Sequence, residues 1–339
     1  FVTAWTGYHG VSAVIPFFFA AFYVFEKMYK ENKFTTKGII LFWTLLVLTM
    51  SGKEQIPLYI IFYGIFILLF RNKQLYNAFS KQLSTKFDLK SLIKQSLKFN
   101  ITKLSLSMII VGILWFVICF FVIIPMYAHY RIDGFNKFAQ SLNIDPSDTR
   151  DVDLDNYFLA RYEAFGDSYS EIIVNMIFSP DQVVRIFFGG DRVDNLNKTF
   201  GPLFYLPLAY PTITIIALPD LAINYLTSAD GVGTSEITNH RISMIIPVLF
   251  ISTIYAIGFL ATLLLTTFDY LGKRNSKFLF IGNNKKFYST LFAGILSIIV
   301  FASNFYMTFY SNNPVFLWLE QAISKRVMAK TADADIDLK

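Results

Sequence analysis

The stretch GIILFWTLLVLTMSGKEQIPLYIIFYGIFILLF, residues 38–70, decides the fold. Two apolar runs flank the tip Ser51-Gly52-Lys53-Glu54-Gln55-Ile56-Pro57. Each run alone is a little short for a hydrocarbon core of about 30 Å. With the tip residues counted as helical turns, the pair approaches the roughly 17–25 residues per crossing that a bilayer requires. The stretch therefore reads as a transmembrane hairpin. Its unusual part is the tip, because charges at membrane depth are expensive and are tied to ions, substrates or partners. The simpler, competing reading is that Lys53 snorkels to the interface and Glu54 is hydrated.

Working outward, 54% of the 339 residues are hydrophobic, 18% aromatic and only 16% charged. A soluble chain carries about a quarter charged residues. The composition predicts an all-α protein, a polytopic transmembrane helical bundle. Cys119 is the single cysteine, so neither an intrachain disulfide nor a cysteine-based metal site is possible. The chain starts without Met and ends in a polar tail; both ends read as cuts, and a longer protein is expected around it.

Four crossings are expected in residues 1–127. The first is Val11–Phe25, with Pro16 inside; the hairpin supplies two; Leu104–Tyr127, uncharged and about 24 residues long, supplies the fourth. Residues 71–103 are basic, and the leucines and phenylalanines among the lysines of Phe87–Phe99 suit an amphipathic helix on an anionic membrane surface. A solvated linker is the alternative. Residues 128–199 form an acidic loop with two short helices expected near Ser170–Phe178 and Asp181–Phe188, Pro180 standing at the first turn of the second.

Residues 200–226 are apolar but carry Pro202, Pro207, Pro211 and Pro219, which forbid one regular helix. Two short helices meeting near Tyr210-Pro211 are predicted, as a broken or re-entrant pair. Residues 227–310 hold two more crossings, Ile242–Phe268 and Phe287–Tyr310. Residues 311–339 begin a C-terminal segment with a helix expected over Val315–Ala329.

Charge orients these elements. Segments Glu26–Lys37, Arg71–Lys103 and Asp269–Lys286 hold 17 of the 30 Lys and Arg but four of the 24 acids, and the positive-inside bias puts them in the cytoplasm. The expected location is thus the cell membrane, multi-pass, with Phe1, the Lys53-Glu54 tip, the 128–199 loop and the C-terminal tail extracytoplasmic. The lipid bilayer is the one partner that composition implies directly.

The outward ends collect the chemistry. His9, His129 and His240 fall there, at the depth of Glu54, Asp133, Asp220 and Arg241. No HExxH or similarly spaced ligand set exists, so no metal site is read; a divalent metal is the one candidate cofactor, and no spacing supports it. There is no nucleophile elbow and no phosphate-loop spacing around Gly189-Gly190. The basic residues are topology charges, which excludes nucleic acid as the expected partner. Asn197-Lys198-Thr199 has the form of a glycosylation acceptor. Lys53 and Arg241 have the chemistry to hold a phosphate, as point charge and forked donor. Glu54 or His240 could order a hydroxyl or carry a proton.

These residues fall in a pattern. Tyr8-His9-Gly10 with Ala13–Pro16, Lys53-Glu54-Gln55, Leu206-Pro207-Leu208 with Pro211, Leu218-Pro219 with Asn224 and Leu226, and His240-Arg241 before Ile246-Pro247 resemble the predicted membrane protein family called domain of unknown function 2079. That family in turn resembles the GT-C glycosyltransferases, which transfer sugar from a polyprenyl-phosphate carrier on the outer membrane face. The resemblance implies a GT-C-like bundle, a polyprenyl-phosphate sugar donor as partner, and a catalytic acid in an outer loop ahead of Phe1; the catalytic residue of this chain is unknown. It makes Lys53, Glu54, His240, Arg241 and His9 the candidate substrate-binding residues. Two departures stand out: Gln55 where the family pattern often has Asp, and Arg241 after His240 where it usually has Tyr. A transporter or flippase, with broken helices beside a cavity, and a noncatalytic membrane scaffold are the other classes that fit.

Overall fold

Apolar runs with at most one proline fold as single helices, and the run with four does not. The computed structural model describes residues 10–84, 88–127, 159–228, 234–236, 240–274 and 284–310. The described elements are helices and turns, and the protein is an all-α, polytopic bundle. Contacts divide the chain into two units.

One unit comprises His9–Val193 with Thr212–Val248. It opens with α1 (Gly10–Lys30), α2 (Thr36–Met50) and α3 (Ile56–Phe66), the last running into a π-helical turn at Ile67–Arg71. Thr35 starts α2 by accepting the Gly38 amide at 3.1 Å, which satisfies one of the first-turn donors. Aromatic rings fill the space among these helices. Phe22 stacks on Tyr63 at 5.4 Å, while Phe25 meets Tyr63 edge-on at 5.9 Å and Phe42 at 6.0 Å. At the other end of α1, the buried Glu26 carboxylate accepts Arg71 Nε at 2.8 Å, and the guanidinium lies 4.8 Å from the Phe66 ring. The chain then bends by 56° into α4 (Lys73–Leu83), capped by Asn72, and α5 (Leu89–Ser96), capped by Asp88.

Next comes α6, Asn100–Ile118, which continues through a π turn to Tyr127. It packs on α3 so closely that a β-carbon at Gly64 would lie 2.8 Å from the Ser105 carbonyl oxygen, the small-residue contact common between membrane helices. Its outer side carries exposed Ile110, Ile113, Leu114, Val117, Phe121 and Val122. Water does not tolerate such a strip, but acyl chains do. The short helices α7 (Tyr169–Phe178) and α8 (Pro180–Phe187) follow, at the two places the pattern predicts and with Pro180 opening the second.

The other unit comprises Phe1–Tyr8, Asp194–Pro211 and Leu249–Lys339. It contains most of α9 (Arg192–Phe200), the four-residue helix α10 (Leu206–Ala209), most of α13 (Ile245–Arg274), and α14 (Lys285–Tyr310). Ser303 Oγ on α14 donates to the Gly201 carbonyl at 2.6 Å. Phe268 stacks on Phe292 at 5.9 Å, and Lys285 pairs with Asp269 at 3.1 Å.

Two expectations need correction. The tip is not helical: α2 ends at Met50 and α3 starts at Ile56, with Ser51 capping one and Pro57 sitting in the first turn of the other. At 15 residues α2 spans about 22 Å, short of a bilayer core. Four described helices are long and apolar enough to cross unaided, α1, α6 to Tyr127, α13 to Gly272 and α14 to Met307; the bent pair Ile56–Arg71 and Lys73–Leu83 makes a fifth if counted as one. The proline-rich run is also more divided than a pair. It breaks at Tyr210 as predicted, but as a 3-10 turn Gly201–Leu203, α10, α11 (Pro211–Thr214), a 3-10 turn Ile215–Ala217 and α12 (Leu218–Tyr225). Each proline lacks the N–H that would carry the ladder through, so each begins a new turn. The part of the acidic loop at residues 128–158 and the helix expected over Val315–Ala329 lie outside the described residues.

Candidate functional site

The tip Ser51–Gln55 is held from beneath by α1. A β-carbon at Gly10 would sit 2.5 Å from the Gly52 carbonyl oxygen, and one at Gly52 would sit 2.6 Å from a Val14 methyl carbon. Only glycine at both positions lets the start of α1 and the tip touch. From this seat Gln55 reaches two elements far away in sequence. Its Nε2 donates to Asp220 Oδ1 at 2.6 Å and to the Arg241 carbonyl at 3.3 Å.

Asp220 sits in the first turn of α12, where the helix dipole favours an acid, yet it is fully buried. Asn224 braces it one turn on, its Nδ2 donating to the Asp220 carbonyl at 2.8 Å and to Oδ1 at 3.1 Å. The Asn224 carbonyl in turn accepts Thr234 Oγ1 at 2.7 Å. Asp220 Oδ2 has no hydrogen-bond donor among the described residues; the Tyr59 hydroxyl faces the carboxyl without hydrogen-bond geometry. At eight residues α12 is far too short to cross a membrane. Burial pushes the Asp220 carboxyl up to about 7, against the pull of the Tyr59 hydroxyl, the Lys53 charge and the Gln55 and Asn224 amides.

Three cations share this neighbourhood. Burial depresses the Lys53 ammonium below the usual lysine range; Glu54 counters this, Arg241 adds to it, and Asp220 and Arg161 act more weakly. Arg161 is buried in the 3-10 turn Leu159–Tyr162, and Tyr162 anchors that turn by donating to the Ile223 carbonyl of α12 at 2.8 Å. Burial pushes the Tyr162 phenol up to about 12. Arg241 lies in the 3-10 turn His240–Ile242, half-buried.

Of the five residues singled out from sequence, Lys53, Glu54 and Arg241 are thus brought together. His240 enters the same turn as Arg241, but its side chain is outside the described part, as are His9 and His129. Gly10, next to His9, touches the tip. Sequence reasoning placed Asp220 at this depth without assigning it a role, and it missed Arg161, Tyr59 and Asn224 as neighbours. A usable signal existed: Leu-Pro-Asp at 218–220 puts a carboxylate inside an apolar run. The Gln55 departure also has a local reason. An Asp there would set two carboxylates face to face, whereas the amide donates. No group of three or more His, Cys, Asp or Glu able to hold a metal occurs among the described residues.

The family model for predicted membrane proteins, domain of unknown function 2079, matches residues 1–333. The chain belongs to this family. For this family member, comparison with curated proteins and with solved structures gives no match. Its membrane character rests on the family and on the apolar helices alike.

Proposed function

We propose that the cluster around the tip binds the phosphate of a lipid-linked substrate, and that this protein is a GT-C-like glycosyltransferase drawing sugar from a polyprenyl-phosphate carrier on the outer face of the cell membrane. One observation carries the reading: Gln55, at the tip beside Lys53 and Glu54, bonds both the buried Asp220 and the Arg241 carbonyl, which sets Lys53 within the electrostatic reach of Arg241 and, more weakly, Arg161. Like charges gathered at a membrane protein's helix ends repel unless an anion or water offsets them, and a phosphate oxygen accepts from both the Arg fork and the Lys ammonium. These residues are assigned phosphate binding, not proton transfer. The reading includes the orientation that positive charge implies, with residues 26–37, 71–103 and 269–286 cytoplasmic and the tip, the 128–199 loop and the 200–226 run facing outward.

The test uses the full chain in nanodiscs and measures binding of polyprenyl phosphate, then sugar transfer from the glycosylated carrier. Lys53→Ala and Arg241→Ala should each weaken binding about tenfold or more, the loss of one charge-assisted contact, while eluting as folded protein. Unchanged binding in both variants overturns the proposal.

A second reading, transporter or flippase, is favoured by the proline-broken run that delivers Asp220 to the cluster, since discontinuous helices beside buried charge are how transporters build sites. Carrier movement between leaflets of proteoliposomes, lost in Arg241→Ala and accompanied by no sugar transfer, would favour it over the transferase.

A further inference from the structure

The α7–α8 hairpin has two apolar faces, and the fold uses one of them. Ile172, Tyr169 and Met176 of α7 and Val183, Ile186 and Phe187 of α8 pack around Phe165 and Leu226. Asn175 Nδ2 donates to the Phe165 carbonyl at 2.6 Å and Gln182 Nε2 to the Ala164 carbonyl at 2.6 Å, so the hairpin is pinned in register. Phe187 stacks on Tyr225 at 5.3 Å, tying it to α12. The opposite face is open: Phe178 is 79% exposed, Ile177 65% and Ile173 58%. Val174 on α7 and Val184 and Phe188 at α8 are exposed as well. On α7 the four exposed apolar residues recur at i, i+1, i+4 and i+5, one side of the helix.

What covers this face is indicated by where α7 begins. Tyr169, its first residue, meets Phe121 of α6 edge-on at 5.7 Å. Phe121 lies six residues before Tyr127, the last described residue of that crossing, or about 9 Å in from it at 1.5 Å per residue. Counted the other way, it is about 25 Å from Leu104, still within a core of about 30 Å. Phe121 and its neighbour Val122 belong to the exposed apolar strip of α6. The start of α7 is therefore at the depth where hydrocarbon gives way to headgroups. The Phe121–Tyr169 contact thus joins the start of α7 to the exposed apolar strip of α6.

We propose that the α7–α8 hairpin is an interfacial element, immersed in the bilayer at the Tyr127 end of α6 with Ile173, Val174, Ile177, Phe178, Val184 and Phe188 in contact with acyl chains. Asp181 and the polar edge of α8 face the headgroups and water. An amphipathic pair of this kind binds lipid through buried apolar area and lies in the plane of the interface. The inference does not depend on phosphate binding at the tip, since it rests on the Phe121–Tyr169 contact and the open face.

The experiment places single cysteines at Ile173, Phe178 and Asp181 in a Cys119→Ser background, attaches a nitroxide, and reconstitutes the full chain in phosphatidylcholine nanodiscs. Power saturation with oxygen and with a nickel chelate then reports depth. Labels at Ile173 and Phe178 should favour oxygen over the chelate several-fold more than the label at Asp181. A ratio at both apolar sites equal to that at Asp181 means water covers the face and overturns the proposal. Protection from both reagents means protein covers it, a second copy or another part of the chain, and overturns it equally. Two independent apolar sites keep the test decisive if one variant fails to fold.

Discussion

At the scale of single residues, Asp220 sets a pH dependence whose sign follows from its surroundings. Its carboxyl is pushed from an ordinary 3.8 up to about 7 by burial. A raised acid contributes stability that is full below its unfolded value and lost as pH rises through its folded value, because the folded state then holds a charge it solvates poorly. The thermal midpoint of the protein in detergent should therefore fall between pH 5 and pH 8. Asp220→Asn should flatten that fall by roughly 5 °C or more, since an amide stays neutral and Gln55 can turn its own oxygen toward it. Parallel pH profiles in the two proteins would refute this account. Lys53 gives a contrary case: it also titrates away from its usual range, but it is bordered by Glu54 and only partly covered, so its effect on folding is screened.

At the scale of elements, the break at Tyr210 shows how a membrane helix is interrupted without leaving carbonyls stranded. Pro211 has no N–H to return to the Pro207 carbonyl, four residues back. Ser252 Oγ of α13 lies 3.1 Å from that carbonyl and 3.0 Å from the Tyr210 carbonyl, and its proton serves them. In a nonaqueous setting such a side chain replaces the water that a loop would otherwise use. Ser252→Ala should cost about 0.5–1.5 kcal/mol, the net worth of one hydrogen bond, because the Pro207 carbonyl keeps the Tyr210 amide at 3.2 Å, and should speed hydrogen exchange over Leu206–Thr214. Thr262→Ala, which removes only a bond to the Gly258 carbonyl within its own helix, should leave both nearly unchanged. Equal effects of the two substitutions would show that Ser252 does not hold the break. That the run breaks was legible from its prolines. How many pieces it makes was not, because the break at Tyr210 is held by a donor from α13, 42 residues away in sequence.

At the scale of the whole molecule, the proposed orientation rests on charge, and it is testable apart from any activity. Single cysteines at Lys90, Asp191 and Asn284 in a Cys119→Ser background should divide under an impermeant thiol reagent on intact cells, with Asp191 labelled and the other two silent. Label at Asn284 would reverse α13 and α14 and cancel the proposed sidedness. Composition and hydrophobic runs alone determined that this is a helical membrane protein, because burying backbone polar groups in lipid leaves few alternatives to a helix and the apolar length of each helix is written locally. The positions of α7, α8, α13 and α14 were legible for the same reason: each is a local persistence of apolar pattern. The tip was misread as helical because α2 stops at Met50, two residues before Gly52, and Pro57 fixes the first turn of α3, whereas hydrophobicity alone would extend both helices. The joining of Gln55 to Asp220 across 165 residues, and of Tyr162 to the Ile223 carbonyl, was decided only by tertiary structure. Charges far apart in sequence come near one another through Gln55, which bonds Asp220 and the Arg241 carbonyl, and through Tyr162, which ties the Arg161 turn to α12, contacts that local pattern permits but does not specify.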